Sequence, residues 1–129
     1  MSARFLPLSS SRRFRRSSQK GIDEGARLVA GGTGRPEGFT EGDYVKPTVF
    51  ADVNNNMTIA REETLGPVLA MIPFDTEEEA IAIANDTPYG LAAYIQTGSP
   101  ERVNALPASC AGMIQINGTS RAPGSPFGG

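Results

Sequence analysis

Apolar residues occur in short runs along this chain, separated by stretches rich in glycine, proline and acidic residues. Ala26–Ala30 is followed directly by Gly31 and Gly32, which predicts a strand that ends in a glycine turn. Tyr44–Val53 also reads as extended, and Pro47 places it at a strand start or a sheet edge. Pro67–Phe74 is almost continuously apolar, a pattern that predicts a strand buried on both faces, as in a parallel sheet.

The second half of the chain alternates helix and strand signals. Thr76 followed by Glu79 is a capping-box pattern, and the acidic residues 77–79 favour the positive end of a helix dipole. The apolar positions of this helix are Ala80, Ile81, Ile83 and Ala84. A strand at Leu91–Thr97, a helix from Ser99-Pro100 to Pro107 and a strand at Met113–Asn117 follow. This order predicts an α/β fold, a mostly parallel sheet with flanking helices.

Composition narrows the chemistry that the chain can perform. Its 129 residues allow one domain, and no apolar run approaches the ~18 residues of a membrane-spanning helix. The chain has no histidine and a single cysteine, Cys110, so histidine-dependent triads, zinc centres and internal disulfides are excluded within it. The acidic residues lack calcium-loop spacing. We therefore expect no metal site, and a reducing, cytoplasmic location fits the lone cysteine.

Charge is divided between a basic lead and an acidic remainder. Residues 1–20 hold six of the twelve basic residues and none of the fourteen acidic ones, so the other 109 residues carry a net charge of −8. The lead fits a solvated tail, an Arg- and Ser-rich transit segment or a nucleic-acid-binding arm. The acidic remainder disfavours nucleic acid as a partner. We predict that residues 1–18 are disordered and that residues 19–129 form the domain.

Five segments together resemble the aldehyde dehydrogenase superfamily, and REETLGPV and ANDTPYGLAA are the most specific parts of the match. The segments are GARLVAGG (25–32), KPTVFADV (46–53), MTIAREETLGPVLAMIPFDTEEEAIAIANDTPYGLAAY (57–94), GMIQIN (112–117) and PFGG (126–129). The resemblance covers about residues 19–129. It implies the C-terminal part of a catalytic domain, in an enzyme that oxidises an aldehyde to a carboxylic acid with NAD or NADP.

In such enzymes a cysteine thiolate attacks the aldehyde and a glutamate activates the water that hydrolyses the thioester. The resemblance places both residues, and the dinucleotide-binding half, upstream of the matched segment. The tail beyond PFGG that helps to build the family's homo-oligomers has no counterpart here either. We therefore expect a dehydrogenase fragment that is inactive alone, with neither nucleic acid nor membrane as a partner. The alternatives are a non-catalytic product or an interaction module that pairs with family subunits, and, more weakly, a nucleic-acid binder.

Three residues take a role from the resemblance. Glu63 matches the glutamate that accepts hydrogen bonds from the nicotinamide ribose hydroxyls, a role that suits a carboxylate because it can accept from two adjacent hydroxyls. Leu65 matches a position near the nicotinamide that is usually phenylalanine. Phe127 matches a phenylalanine of the substrate passage, although core packing explains it equally well.

Cys110 is not expected to be the catalytic nucleophile. It lies just before the GMIQIN strand, far downstream of the family's nucleophile, and its neighbours provide no base or cation that would lower the thiol pKa. A packed structural thiol is the better interpretation. The chain is thus expected to carry cofactor and substrate-passage contacts but no catalytic residue.

Overall fold

The computed structural model describes residues 4–5, 7–105 and 111–118, with the backbone alone for residues 4–5 and 103–105. The chain divides into two compact units, Met1–Pro73 and Phe74–Gly129. No helix within the described ranges combines the length and the apolar character needed to cross a membrane.

The first unit is built on a three-stranded sheet. Its strands are β2 (Arg27–Ala30), β4 (Thr48–Ala51) and β5 (Val68–Ala70), in the order β2-β4-β5. The central strand runs antiparallel to β2 and parallel to β5. Two short strands, β1 (Arg4–Phe5) and β3 (Tyr44–Val45), form a separate antiparallel pair.

Two helices accompany this sheet, α1 (Leu8–Asp23) and the single-turn α2 (Thr58–Arg61). The core of the unit lies under β4, where Phe50 is completely buried. It is completed by the buried residues Ala26, Val53, Met57 and Ile59. Because Ile59 of α2 belongs to this core, the segment that runs from α2 to β5 begins at a buried helix.

The second unit alternates helix and strand. Its elements are α3 (Glu77–Asn85), β6 (Ala93–Ile95), α4 (Pro100–Ala105) and β7 (Ile114–Ile116). The strands β6 and β7 pair in parallel. The predicted helix starts are confirmed: the Thr76 hydroxyl accepts from the Glu79 amide at 3.2 Å, and the Ser99 hydroxyl accepts from the Arg102 amide at 3.4 Å.

The α/β class is confirmed, but the strand pairing is mixed rather than mostly parallel. Within the described part of the chain, the pairs β4–β5 and β6–β7 are parallel, whereas β1–β3 and β2–β4 are antiparallel. The connection from β2 to β4 contains no crossover helix, and a chain that returns through a loop pairs antiparallel. The sequence pattern located these strands but did not show that β2 and β4 pair antiparallel.

The prediction that Pro67–Phe74 is buried on both faces is wrong. Only Val68–Ala70 form a strand, at the edge of the sheet, and 56% of the Leu69 surface is exposed. An unbroken apolar run predicts cover on both faces. Within the described part of the unit, nothing covers the face on which Leu69 lies.

The prediction of a disordered lead is also wrong where the structure describes it. Residues 8–23 form α1, and one face of this helix is buried through Ser11, Phe14, Ser17, Ser18 and Gly21. Most side chains on this buried face are small and only one is large and apolar. The pattern of apolar residues along the sequence therefore does not reveal the helix. The arginines at positions 12, 13 and 16 lie exposed on the opposite side, where solvent screens their repulsion.

Candidate functional site

Glu63 lies on the short connection between α2 and β5. Helix α2 ends at Arg61, and Glu62 turns into an extended conformation at φ −102° and ψ 140°. At the far end, the Thr48 amide of β4 donates to the Pro67 carbonyl at 2.8 Å. The four residues from Glu63 to Gly66 are therefore held between two anchored points, a helical turn and the sheet.

Residues 63–66 of this connection are exposed to solvent, except Thr64, which is half-buried. Glu63 is exposed and 53% of the Leu65 surface is exposed. Between them, the Thr64 hydroxyl oxygen is buried and has no hydrogen-bond partner among the described residues. The structure thus places an exposed carboxylate two residues from an exposed apolar side chain. The carboxylate is a hydrogen-bond acceptor, and the leucine beside it is an apolar surface.

The start of α2 is capped by the residue that follows α1, a contact that sequence reasoning missed. The Glu24 carboxylate, just after α1, accepts from the Thr58 amide at 2.6 Å and from the Thr58 hydroxyl at 2.5 Å. These two bonds lower the pKa of Glu24, and Lys20 lowers it slightly further, whereas desolvation and Asp23 oppose the shift. No local pattern could have revealed the contact, because 34 residues separate its partners.

Two residues singled out from the sequence, Phe127 and Cys110, lie outside the described residues. Glu63 and Leu65 are the site residues that the structure places, and it brings them together on one segment. No group of three or more metal-ligating side chains occurs in the described ranges.

Residues 7–129 match the sequence profile of the aldehyde dehydrogenase family. The match begins twelve residues before residue 19, where the resemblance in sequence begins, and it includes α1. Curated relatives from Staphylococcus saprophyticus and Staphylococcus aureus are 48% and 49% identical over 111 residues. That alignment covers 85% of this chain, and the chain spans 23% of the length of these relatives.

Solved structures that resemble this chain are also aldehyde dehydrogenases. An aldehyde dehydrogenase of Mycobacterium tuberculosis, complexed with NAD+, is 53% identical with a TM-score of 0.87, over 93% of this chain and 25% of that one. An aldehyde dehydrogenase of Bartonella henselae is 48% identical with a TM-score of 0.90, over 95% and 26%. A Pseudomonas syringae enzyme in complex with NAD+ and octanal is 44% identical with a TM-score of 0.88, over 95% and 25%.

Proposed function

Because the chain belongs to the aldehyde dehydrogenase family, we propose that it forms the nicotinamide-ribose side of the cofactor site in an NAD- or NADP-dependent aldehyde-oxidising enzyme. The observation that carries this proposal is the position of Glu63, an exposed carboxylate on a segment anchored at both ends. The NAD+ complexes of two structural relatives support a nicotinamide cofactor. The chemistry of the site fits, since a carboxylate suits a ribose diol and Leu65 offers an apolar contact for the ring.

The role of the described residues is binding and orientation. The Glu63 carboxylate accepts hydrogen bonds from the two ribose hydroxyls and fixes the position of the sugar. Leu65 lies two residues away and limits the tilt of the attached ring by packing. The bound dinucleotide supplies the hydride acceptor. Good orientation at this point raises the hydride-transfer rate because the reacting atoms are held in line.

The test uses an enzyme in which this segment replaces the corresponding part of the M. tuberculosis relative. Glu63→Gln removes the charge from the ribose contact and is expected to slow single-turnover hydride transfer by roughly tenfold or more. Glu62→Gln is the matched control, because it changes an exposed carboxylate one residue away, and should leave the rate within about twofold. Equal effects of the two variants would refute the role of Glu63.

Leu65 is tested in the same enzyme. We propose that Leu65→Phe restores an aromatic face beside the ring and changes the hydride-transfer rate by about fivefold, which corresponds to roughly 1 kcal/mol. Aldehyde binding should change less than this. An unchanged single-turnover rate would show that position 65 does not orient the cofactor.

A second candidate function is that of a non-catalytic module that pairs with family subunits. The edge strand β5 favours it, because an edge strand can pair with another chain. Leu69 within β5 is 56% exposed, and Met71 just after it is 42% exposed. Light scattering on mixtures of this chain with an intact family subunit would detect a complex. A Leu69→Lys variant, which places a charge on the edge, should abolish it.

We also propose that nucleic acid is not a partner and that the chain acts in the cytoplasm. The net charge of −2 supports the first statement, because most of the chain repels phosphate. The lone cysteine supports the second, since it fits a reducing compartment. Salt-dependent retention of labelled DNA or RNA by the purified chain would contradict the first.

A further inference from the structure

We propose that Glu24 is a positioning residue, which fixes helix α2 from outside and thereby sets the place of the Glu63 carboxylate. The catalytic meaning of this inference rests on the proposed function of Glu63. The structural part depends only on contacts within the first unit and can be tested separately. Gly21 supports the same arrangement by allowing the two helices to approach.

Helix α2 is too short to be stable without help. It has four residues, and Met57 at its N-cap position makes no side-chain capping bond. A single turn fixes several backbone dihedrals for very few hydrogen bonds, so isolated short helices are unstable in water. The amides of its first turn also need acceptors. Glu24 satisfies the Thr58 amide and holds the Thr58 hydroxyl at the same time.

A second contact fixes the direction of α2. A β-carbon at Gly21 would lie 2.8 Å from both Cδ1 and Cγ2 of Ile59, so only glycine fits beside this side chain. Ile59 is only 7% exposed and belongs to the core of the unit. Capping by Glu24 and packing at Gly21 therefore hold α2 from two sides, at its first residue and along its length.

Backbone hydrogen bonds extend the ordered turn of α2 as far as Glu62, the residue before Glu63. The Arg61 amide donates to the Met57 carbonyl at 3.1 Å, and the Glu62 amide donates to the Thr58 carbonyl at 2.9 Å. Glu63 is the next residue. One residue therefore separates the capped turn from the carboxylate, so fraying of α2 would displace Glu63 directly.

Hydrogen exchange in the 129-residue chain tests the structural part. Glu24→Ala should accelerate exchange of the Ala60, Arg61 and Glu62 amides by about fivefold, the usual effect of losing a cap. Amides of the central strand β4 should keep their rates. Glu24→Gln retains one acceptor oxygen and should restore most of the protection. Asp23→Asn changes a neighbouring carboxylate that accepts from Gln19 instead. It should leave these rates within about twofold at neutral pH, because Glu24 is ionised there with or without the Asp23 charge. Equal acceleration in α2 and β4, or none in α2, would overturn the inference.

The grafted enzyme tests the link to Glu63. Glu24→Ala should slow hydride transfer severalfold and raise KM for the nicotinamide cofactor without raising KM for the aldehyde. In the Glu63→Gln background it should have no further effect, because it acts through that residue. Equal slowing in both backgrounds would overturn the link. If Glu63→Gln alone has no effect, the proposed function fails while the exchange result still decides the capping role.

Discussion

Gly31 lies so close to Thr48 that a β-carbon at position 31 would stand 2.8 Å from the Thr48 α-carbon and 2.6 Å from its hydroxyl oxygen. The next amide, that of Gly32, donates to the same hydroxyl at 3.1 Å. Thr48 is buried and its hydroxyl donates in turn to the Lys46 carbonyl at 2.9 Å. The turn that ends β2 therefore packs against Thr48, the first residue of β4. The Thr48 amide also donates to the Pro67 carbonyl, at the end of the segment that contains Glu63.

Alanine at Gly31 is expected to destabilise the chain far more than alanine at Gly38. Both glycines have positive φ, +81° and +79°, but a β-carbon at Gly38 has no atom within 4 Å. Gly38→Ala should lower the free energy of unfolding by about 1 kcal/mol through backbone strain alone. Gly31→Ala should lower it by about 3 kcal/mol or more, because its β-carbon would also overlap the backbone of Thr48. Urea unfolding measures both, and equal losses would show that the close approach is not maintained in solution.

Two buried serines of α1 should respond to alanine in opposite directions. The Ser18 hydroxyl is buried with no hydrogen-bond partner among the described residues, so Ser18→Ala should stabilise the chain by roughly 1 kcal/mol. The Ser11 hydroxyl lies 3.0 Å from the Leu8 carbonyl and 3.2 Å from an Asp43 carboxylate oxygen. Ser11→Ala should therefore destabilise it by about 1 kcal/mol. Thermal unfolding that moves in the same direction for both variants would contradict this assignment.

Acid should remove the contribution of Glu24 to stability. The hydrogen bonds from Thr58 lower the pKa of Glu24 below its ordinary value of 4.5. A carboxyl whose folded pKa is lowered stabilises the protein above its unfolded pKa, and this stabilisation is lost as the pH falls through the folded value. Lys20 strengthens the shift and Asp23 opposes it. Unfolding midpoints of the parent and Glu24→Gln chains should therefore converge below pH 4.5, and a constant difference between them would contradict the assignment.

The sequence predicted contacts between residues close together in the chain, but not contacts between distant ones. The capping pair Thr76 and Glu79 lies within one helical turn, and the structure contains that bond. The packing of α1 depends on Gly21 meeting Ile59, and a serine-rich face gives no apolar signal. Family motifs singled out Glu63 as a candidate, but the Glu24 contact that caps the preceding helix α2 joins residues far apart in the chain. Such contacts follow from tertiary packing, which composition and spacing do not encode.

We propose that this chain carries a cofactor contact of an aldehyde dehydrogenase but not the reacting groups. The most direct measurement is the formation of reduced nicotinamide by the purified 129-residue chain, supplied with an aldehyde and with NAD or NADP. We predict no aldehyde-dependent formation, because the orientation that we propose for Glu63 cannot replace covalent catalysis. Steady formation in proportion to the amount of chain would contradict this proposal. Its loss in Cys110→Ala would identify Cys110 as the nucleophile, and its survival would mean that another group does the chemistry.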